Sequence, residues 1–457
     1  METIKIHSRS EKPETKQELL ELPQLPEFTL QEKIKGDAEK YRYRPSANRW
    51  YWGMVGGEPI NDEWKAKMLL AQKEELPYLV SAVMERDCNL NCAHCLYQEE
   101  DSSEGVSREA HLSEVIEHIV GTMPQASEGR GREVLEFMSA GRILKPWHLD
   151  IFKKLRETRP DVKLGVIDNG TFTELLSEWP EGFKFDWIDI SIDGTPMHHN
   201  GQRRSPTAYA EAEKGLMHAR EVIKDDGYVA SLMTLTTINA GDITEVTDTL
   251  LKAGKNGKPL VDKLKLTTMS PTNDINKKIE MKVEDFAKAW GEIKTACTKY
   301  NTPDNERISL GLYRIEDIEK LAAVIGERKF LESFPADADM ANEKGTAFRG
   351  NFIDLRIDGV PVSYLPVSIW PPEELLIEAD GAYRVAYEGQ FTLDELHAGK
   401  SKDGRDTKPY TVAQLTPETD FREVYERGVD LYWQRFGHKK LNEEFAAFGR
   451  IRAKANK

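Results

Sequence analysis

The chain has 457 residues, of which 39% are hydrophobic, and a net charge of −15 at pH 7. This length is sufficient for a large core, and the acidic balance argues against a general affinity for nucleic acid, which needs clustered Lys and Arg. There is no run of about 18 apolar residues that would span a membrane and no apolar N-terminal signal peptide, so we expect a cytoplasmic protein.

The sequence changes near residue 76 from a polar segment to a series of predicted strands and helices. Residues 1–75 are rich in Glu, Lys and Pro and are interpreted as a partly flexible N-terminal arm. From there, strand-like runs alternate with segments whose apolar residues recur at helical spacing. The predicted strands are residues 78–84, 134–138, 162–167, 185–193, 229–238 and 263–268, with a possible seventh at 308–313. Such βα units predict an α/β fold with parallel strands, and right-handed crossovers would curl them into a full or partial barrel over residues 76–315.

Three of the four cysteines, Cys88, Cys92 and Cys95, lie within eight residues directly after the first predicted strand. Thiolates at this density favour a shared inorganic centre, since soft sulfur ligands select zinc, copper or iron–sulfur clusters. A closed zinc site needs four ligands, and the available fourth, His94, is adjacent to Cys95. A disulfide would leave one of the three unpaired, and four cysteines in a chain of this length fit a reducing compartment. Three thiolates instead suit a cubane with one open iron.

The C-x3-C-x2-C spacing resembles the signature of the radical S-adenosylmethionine (SAM) superfamily. The resemblance implies that Cys88, Cys92 and Cys95 ligate a [4Fe–4S] cluster whose unique iron chelates the amino and carboxylate groups of SAM. Reduction by one electron would cleave SAM to methionine and a 5′-deoxyadenosyl radical, which abstracts hydrogen from the substrate. The electron would come from a donor such as flavodoxin or ferredoxin. The fold implied is a partial (β/α)6 TIM-like radical SAM barrel with a small α+β C-terminal extension.

Motifs that resemble those of the family stand at the ends of the predicted strands, where barrel enzymes place their active sites. Ser191-Ile-Asp-Gly194 resembles S-x-D-G, and His199, Asn200 and Arg203 fall at the His, Asp and Arg places that follow it. The resemblance implies a hydrogen bond between Ser191 and SAM and a pairing of Arg203 with the SAM carboxylate, a task suited to guanidinium. The predicted cofactor contacts are Ser139, Ala140, Gly141, Asn169, Ser191, Asp193, Arg203 and Asn239.

Weaker signals stand at three other strand ends. Ser139-Ala-Gly-Arg142 occupies the place of the Gly-Gly-Glu-Pro-like segment of the family, and its small residues allow close backbone approach to a ligand. The literal Gly56-Gly-Glu-Pro59 lies upstream of the cysteines, where that motif cannot be. Asp168-Asn-Gly170 and Thr236-Thr-Ile-Asn239 are either ligand-lining turns or ordinary turns. No motif identifies a catalytic acid or base, and strand position alone makes Glu136, Lys265, Thr267 and Tyr313 candidates.

The fourth cysteine, Cys297, is interpreted as a small core residue. Phe286, Trp290, Ile293 and Cys297 recur at the spacing of one buried helix face.

The C-terminal part of the chain resembles the SPASM or twitch extension of many radical SAM enzymes. Residues 316–345 are interpreted as a helical linker, and residues 346–457 as strands with Asp-Gly turns followed by two charged helices. The place of a cluster ligand in that extension falls near Ala386, and no cysteine follows Cys297. We therefore expect an extension that lacks auxiliary-cluster cysteines.

Without a second cluster as an electron acceptor, a redox-neutral or reductive outcome such as dehydration or epimerisation is favoured. The absence of a basic face favours a small polar metabolite, such as a sugar, aminoglycoside or nucleoside. Radical modification of a peptide is the alternative that the SPASM-like extension leaves open. A non-catalytic zinc or iron–sulfur binding module is the second alternative.

Overall fold

Within the residues that the structure describes, thirteen strands form one mixed sheet with the order β13-β12-β11-β1-β2-β3-β4-β5-β6-β7-β10-β9-β8. The computed structural model describes residues 50, 53–54, 60–74, 79–83, 88–95, 107–123, 135–140, 144–172, 175, 179–253, 257–271, 274–334, 347–349, 352–366, 374–384 and 411–457. All of them belong to the folded unit of residues 41–457. The strands are β1 (Leu79–Ala82), β2 (Leu135–Ala140), β3 (Val162–Asp168), β4 (Phe185–Ser191), β5 (Ile223–Leu235), β6 (Lys263–Thr268), β7 (Ile308–Leu312), β8 (Ala347–Arg349), β9 (Phe352–Ile357), β10 (Val360–Tyr364), β11 (Glu374–Ile377), β12 (Ala382–Arg384) and β13 (Thr411–Gln414).

The helices of the described ranges follow in chain order. They are α1 (Asp62–Glu74), α2 (Ser107–Thr122), α3 (Pro146–Thr158), α4 (Pro196–Arg203), α5 (Ala208–Ala219), α6 (Ile243–Leu251), α7 (Asp274–Ile279), α8 (Val283–Tyr300), α9 (Ile315–Ile325), α10 (Glu327–Glu332), α11 (Phe421–Tyr432) and α12 (His438–Ala455), with a π-helical turn at Trp433–Gly437. No helix within the described ranges is long and apolar enough to cross a membrane.

The seven strands β1 to β7 follow one another in the sheet in chain order and are all parallel. This confirms the predicted succession of parallel βα units, and the possible seventh strand is real. Several strand boundaries differ from the prediction by one to six residues, and those of β4 and β5 are examples. Strand β4 ends at Ser191 instead of residue 193, and β5 begins at Ile223 instead of residue 229. Both changes lie at strand ends, where hydrophobic alternation is weakest.

The C-terminal strands extend both edges of the parallel sheet. Strand β10 pairs in parallel with β7, and β11 pairs in parallel with β1. Antiparallel hairpins then complete each edge, with Asp358-Gly359 and Asp380-Gly381 at their turns as predicted. Asp358 and Gly359 have φ values of 52° and 81°, the left-handed region that such turns require. The predicted place of a cluster ligand, Ala386, lies outside the described residues.

The sheet has an apolar face and a polar face. On β4, Ile188 and Ile190 are fully buried in the hydrophobic core shared with the helices. Asp189 and Ser191 alternate with them and therefore point to the opposite face. Trp187 also lies on that face, over Gly165 of β3, where an added Cβ would come within 1.9 Å of the indole ring.

The helical layer includes the face predicted for Cys297. In α8, Phe286, Trp290, Ile293 and Cys297 are all buried, and the thiol of Cys297 lies 3.9 Å from the carbonyl oxygen of Ile308. Burial raises the pKa of this thiol to about 12. The interpretation of Cys297 as a core residue is confirmed.

Residues from the predicted N-terminal arm are buried against the C-terminal helices. Trp50 is fully buried, donates to Glu444 Oε2 at 2.7 Å, and has its ring centroid 5.6 Å from that of Phe448. Gln72, in α1, accepts hydrogen bonds from Tyr425 and Trp433. The part of the arm that the structure describes is thus anchored to α11, α12 and the π-helical turn.

Candidate functional site

The cysteine loop follows β1, and its backbone is fixed through Ala93. The Ala93 N–H donates to the carbonyl oxygen of Gln202 in α4 at 2.8 Å. The Ala93 carbonyl accepts a hydrogen bond from Asn276 Nδ2 in α7, also at 2.8 Å. Helices that follow two different strands, β4 and β6, therefore hold the peptide groups between Cys92 and Cys95.

Asp193 is the centre of the polar network beside this loop. It lies two residues after β4, is fully buried, and accepts hydrogen bonds from Arg203 Nε at 2.6 Å and from the Thr234 N–H at 2.9 Å. Arg203 also points Nη1 at Cys92 Sγ, 3.8 Å away. One guanidinium thus connects a cysteine of the loop to the motif at the end of β4.

The charges of this pair reinforce each other. Burial by itself would raise the pKa of Asp193, but Arg203, His94, His199 and the Thr234 N–H outweigh it and lower the pKa to about 2. Burial works against the charge of Arg203 as well, and Asp193 with Cys92 raises its pKa above the ordinary value. Both groups are therefore charged at neutral pH.

Two buried histidines flank Asp193 and are neutral. Burial, with Arg203 nearby, lowers the pKa of His94 to about 4 and that of His199 to about 4. The Asp193 N–H donates to His199 Nδ1 at 2.9 Å, so the ring proton of neutral His199 is on Nε2. His94 Nε2 lies 3.5 Å from Asp193 Oδ2, a contact between a neutral ring and a carboxylate.

Asn169 connects the end of β3 to the first cysteine. Its Nδ2 donates to Asn89 Oδ1 at 2.8 Å and lies 3.8 Å from Cys88 Sγ, while its Oδ1 accepts from the Thr171 N–H. Gly170, with a φ of 90°, makes the turn that presents this amide. Helix α5 is so close to the turn that a Cβ on Gly215 would lie 2.3 Å from the Gly170 carbonyl oxygen.

The three thiols influence one another electrostatically. Burial raises the pKa of Cys92 to about 11; Cys95, Asp193 and Cys88 act in the same direction and Arg203 opposes them. Within the described ranges, no three His, Cys, Asp or Glu side chains converge as the ligands of one metal ion do. The ligands of a cubane bind different irons and need not converge in that way. Three neighbouring thiols beside a cation fit the ligand set of a [4Fe–4S] cluster with one open iron.

Ser191 and Asn239, both predicted as SAM contacts, have different surroundings. Ser191 is the last residue of β4, and its hydroxyl makes no hydrogen bond within the part of the chain that the structure describes. Asn239 is fully buried, and its amide is committed to the carbonyl oxygens of Asp193 and Thr234 and to the Thr236 N–H. Ser191 thus keeps a polar group for a ligand, whereas Asn239 joins the ends of β4 and β5.

The segment predicted after the second strand is described only in part. Ser139 and Ala140 are the last residues of β2 and pair in register with Val166 and Ile167 of β3. Their position at the strand end agrees with the placement assumed from the sequence. Gly141 lies outside the described residues.

The four acid or base candidates have different surroundings. Lys265 donates to both carboxylate oxygens of Asp189, at 2.7 and 3.0 Å, and to Tyr228 Oη at 3.2 Å. Burial disfavours its charge, but Asp189 and Tyr228 raise its pKa above the ordinary value, so Lys265 is not a base at neutral pH. Thr267 is half-buried in register with Thr234, and Tyr313 follows β7 with its hydroxyl near Gly311. Glu136 lies near the start of β2, where only its backbone is described.

Sequence reasoning missed three residues that shape the site: Asn89, Gln202 and Asn276. Gln202 is fully buried, donates to the Thr234 carbonyl and accepts from the Thr236 hydroxyl. It stands beside Arg203, a position that could have drawn attention to it. Asn276 lies in the run Asp274-Ile-Asn-Lys-Lys-Ile279, which carries no local signal of a buried amide.

Comparisons with known proteins find similarity in three-dimensional structure alone. No family model matches the sequence, and no curated protein matches it. SuiB of Streptococcus suis bound to its precursor peptide SuiA aligns with a TM-score of 0.46 and 11% identity, over 80% of this chain and 71% of SuiB. Native anSMEcpe with bound AdoMet (SAM) aligns with a TM-score of 0.45 and 14% identity, over 83% of this chain and 98% of anSMEcpe. Coproporphyrinogen III oxidase (HemN) from Escherichia coli, a radical SAM enzyme, aligns with a TM-score of 0.34 and 17% identity, over 51% of this chain and 56% of HemN. All three TM-scores are below 0.5.

Proposed function

We propose that this chain is a radical SAM enzyme. Cys88, Cys92 and Cys95 would hold a [4Fe–4S] cluster, and SAM would bind beside it at the C-terminal ends of the parallel strands. The observation that carries the proposal is the position of Arg203, 3.8 Å from Cys92 Sγ and 2.6 Å from Asp193 Oδ2. This geometry supports the proposal because it places a fixed cation beside both the thiols and the Ser191–Gly194 motif.

The side chains around the cysteines have separate tasks in this proposal. Arg203 uses Nε and Nη1 in the contacts above, and its Nη2 makes no hydrogen bond in the described ranges, so donors remain for the carboxylate of SAM. Asp193 holds the guanidinium in place, and Ser191 offers its hydroxyl. Asn169 would orient Cys88. The bound cluster would supply the electron that cleaves SAM and yields the 5′-deoxyadenosyl radical.

The proposed organisation keeps the boundaries expected from the sequence. Residues 1–75 form the arm, 76–315 the partial barrel, 316–345 the linker and 346–457 the extension. An electron donor such as flavodoxin or ferredoxin would reduce the cluster. Of the predicted cofactor contacts, we keep Ser139, Ala140, Gly141, Asn169, Ser191, Asp193 and Arg203, and assign Asn239 to positioning because its amide is already satisfied.

For the substrate we place a peptide ahead of the small polar metabolite. At the outer edges of the sheet, β8 and β13 each pair with one neighbour among the described residues. An extended peptide can add to such an edge through its backbone.

Anaerobic reconstitution with iron and sulfide tests the proposal. The wild-type chain should take up iron and sulfide and show the broad visible absorption of a [4Fe–4S] cluster, and Cys92→Ala should not. Cys297→Ala is the matched control, since this thiol is buried in α8, and it should behave as the wild type. Stable binding of one zinc ion with no iron–sulfur absorption would support the non-catalytic module and refute the enzyme. Deuterium transfer into 5′-deoxyadenosine from labelled peptides or labelled sugars then distinguishes the substrate classes.

A further inference from the structure

Asn276 contacts the cysteine loop from outside every motif that the sequence presents. It lies in α7, after β6, and its side-chain Nδ2 donates to the carbonyl oxygen of Ala93 at 2.8 Å. Only 1% of the residue is exposed. A buried amide that bonds a backbone carbonyl between two cluster ligands fixes the position of that carbonyl.

The opposite side of the same residue is held equally firmly. The Ala93 N–H donates to the Gln202 carbonyl at 2.8 Å, and the Gln202 side chain is itself fixed by the Thr234 carbonyl and the Thr236 hydroxyl. Helices α4 and α7 therefore hold both peptide groups of Ala93 by hydrogen bonds. Because Ala93 lies between Cys92 and Cys95, these two hydrogen bonds set the relative orientation of the Cys92 and Cys95 thiols.

Helix α7 is in turn attached to the strand ends. The Thr237 N–H, two residues after β5, donates to the Ile279 carbonyl at the end of α7 at 2.9 Å. The amide of Asn276 is thus carried on a short helix whose last residue is anchored to the sheet. A donor held in this way can keep a loop in one conformation.

We propose that Asn276 is a positioning residue for the cluster: it donates to Ala93 and thereby holds Cys92 and Cys95 at the spacing and orientation that the cluster needs. This inference rests on the proposed function. Partners in the outer shell of metal sites act in the same way, and their loss typically costs about 10- to 100-fold in metal affinity or activity.

The test compares Asn276→Asp with Asn301→Asp in the full-length reconstituted chain. The first change keeps the shape of the side chain but turns the donor into a carboxylate that faces the Ala93 carbonyl. The control makes the same chemical change at an amide that donates to the Ile308 carbonyl at 2.9 Å, at the end of the helix that carries Cys297 and outside the loop of Cys88, Cys92 and Cys95. Iron retention against a chelator and the electron paramagnetic resonance spectrum of the reduced cluster, with and without SAM, are the readouts.

We expect Asn276→Asp to lose iron about tenfold more readily than the wild type and to change the spectrum, while Asn301→Asp does neither. Asn276→Gln, which keeps a donor, should recover the wild-type spectrum. Should Asn276→Asp fail to fold, the smaller and uncharged Asn276→Ser replaces it with the same two outcomes. Unchanged iron retention and spectrum would overturn this inference alone, whereas a wild-type chain that takes up no cluster would overturn the proposed function.

Discussion

Replacing Asp193 by Asn should destabilise the folded chain strongly. Asp193 is fully buried, and Arg203, whose side chain is 9% exposed, would keep its charge without a counterion. Removing one partner of a buried ion pair costs about 3–5 kcal/mol. Asn keeps an oxygen for the Thr234 N–H, so the lower end, about 3 kcal/mol, is expected. The lowered pKa of Asp193, about 2 against an ordinary 3.8, corresponds to about 2.5 kcal/mol of stability at neutral pH and agrees in magnitude.

Urea denaturation followed by circular dichroism measures this loss. With an m-value of about 3 kcal/mol per molar urea, the midpoint should fall by about 1 M. Asp248→Asn is the control, because Asp248 pairs with Lys299 at the surface, where both side chains are about half exposed. Exposed pairs contribute about 0–1 kcal/mol, so its midpoint should barely move. Equal midpoints for the two variants would refute the placement of Asp193 as the buried counterion of Arg203.

Three further predictions concern single contacts. Ser191→Ala should weaken SAM binding by about 2- to 10-fold, the contribution of one hydrogen bond, with an unchanged urea midpoint; equal affinity in a binding titration would remove Ser191 from the site. His199 has a folded pKa of about 4, below its ordinary 6.5, so its contribution to stability is complete above pH 6.5 and is lost as the pH falls toward 4. Between pH 6.5 and pH 4 the unfolding free energy of His199→Asn should therefore fall by up to about 3 kcal/mol less than that of the wild type. Plots of unfolding free energy against pH that run parallel for the two proteins would contradict this. Gly215→Ala should lower the unfolding free energy measured in urea by about 1–3 kcal/mol, because its Cβ would overlap the Gly170 carbonyl. Gly291→Ala, with open space around the same atom in α8, should raise it by up to about 1 kcal/mol. Equal effects of the two changes would show that α5 can move away from the turn.

The central strands could be predicted because their signals are local. Among the strands whose side chains are described, β1, β3, β4, β6 and β7 are short runs rich in buried apolar residues, and parallel order follows from the crossovers. The pairing of β11 with β1 and of β10 with β7 could not be predicted in this way. Leu79 pairs with Glu374, almost 300 residues later, and no periodicity in either segment encodes that choice.

The candidate site also combines residues that local motifs predict with contacts that only the three-dimensional structure reveals. Arg203 and Asp193 were found from the spacing after Ser191, and the structure places them in contact with each other. The role of Asn239 was read from its position at a strand end, but its amide satisfies three backbone groups, which only the three-dimensional arrangement reveals. Asn276 was missed because a buried amide on a six-residue helix among lysines has the appearance of an exposed one. Local patterns identify which residues can do chemistry, while long-range contacts decide which are already occupied.

The most direct test of the central claim is the amount of 5′-deoxyadenosine formed from SAM by the reconstituted and chemically reduced chain under anaerobic conditions. We expect formation by the wild type and by Cys297→Ala, and none above background by Cys92→Ala. Equal formation by Cys92→Ala and the wild type, or none by a wild-type chain that carries a full cluster, would contradict the assignment of the three cysteines to SAM cleavage.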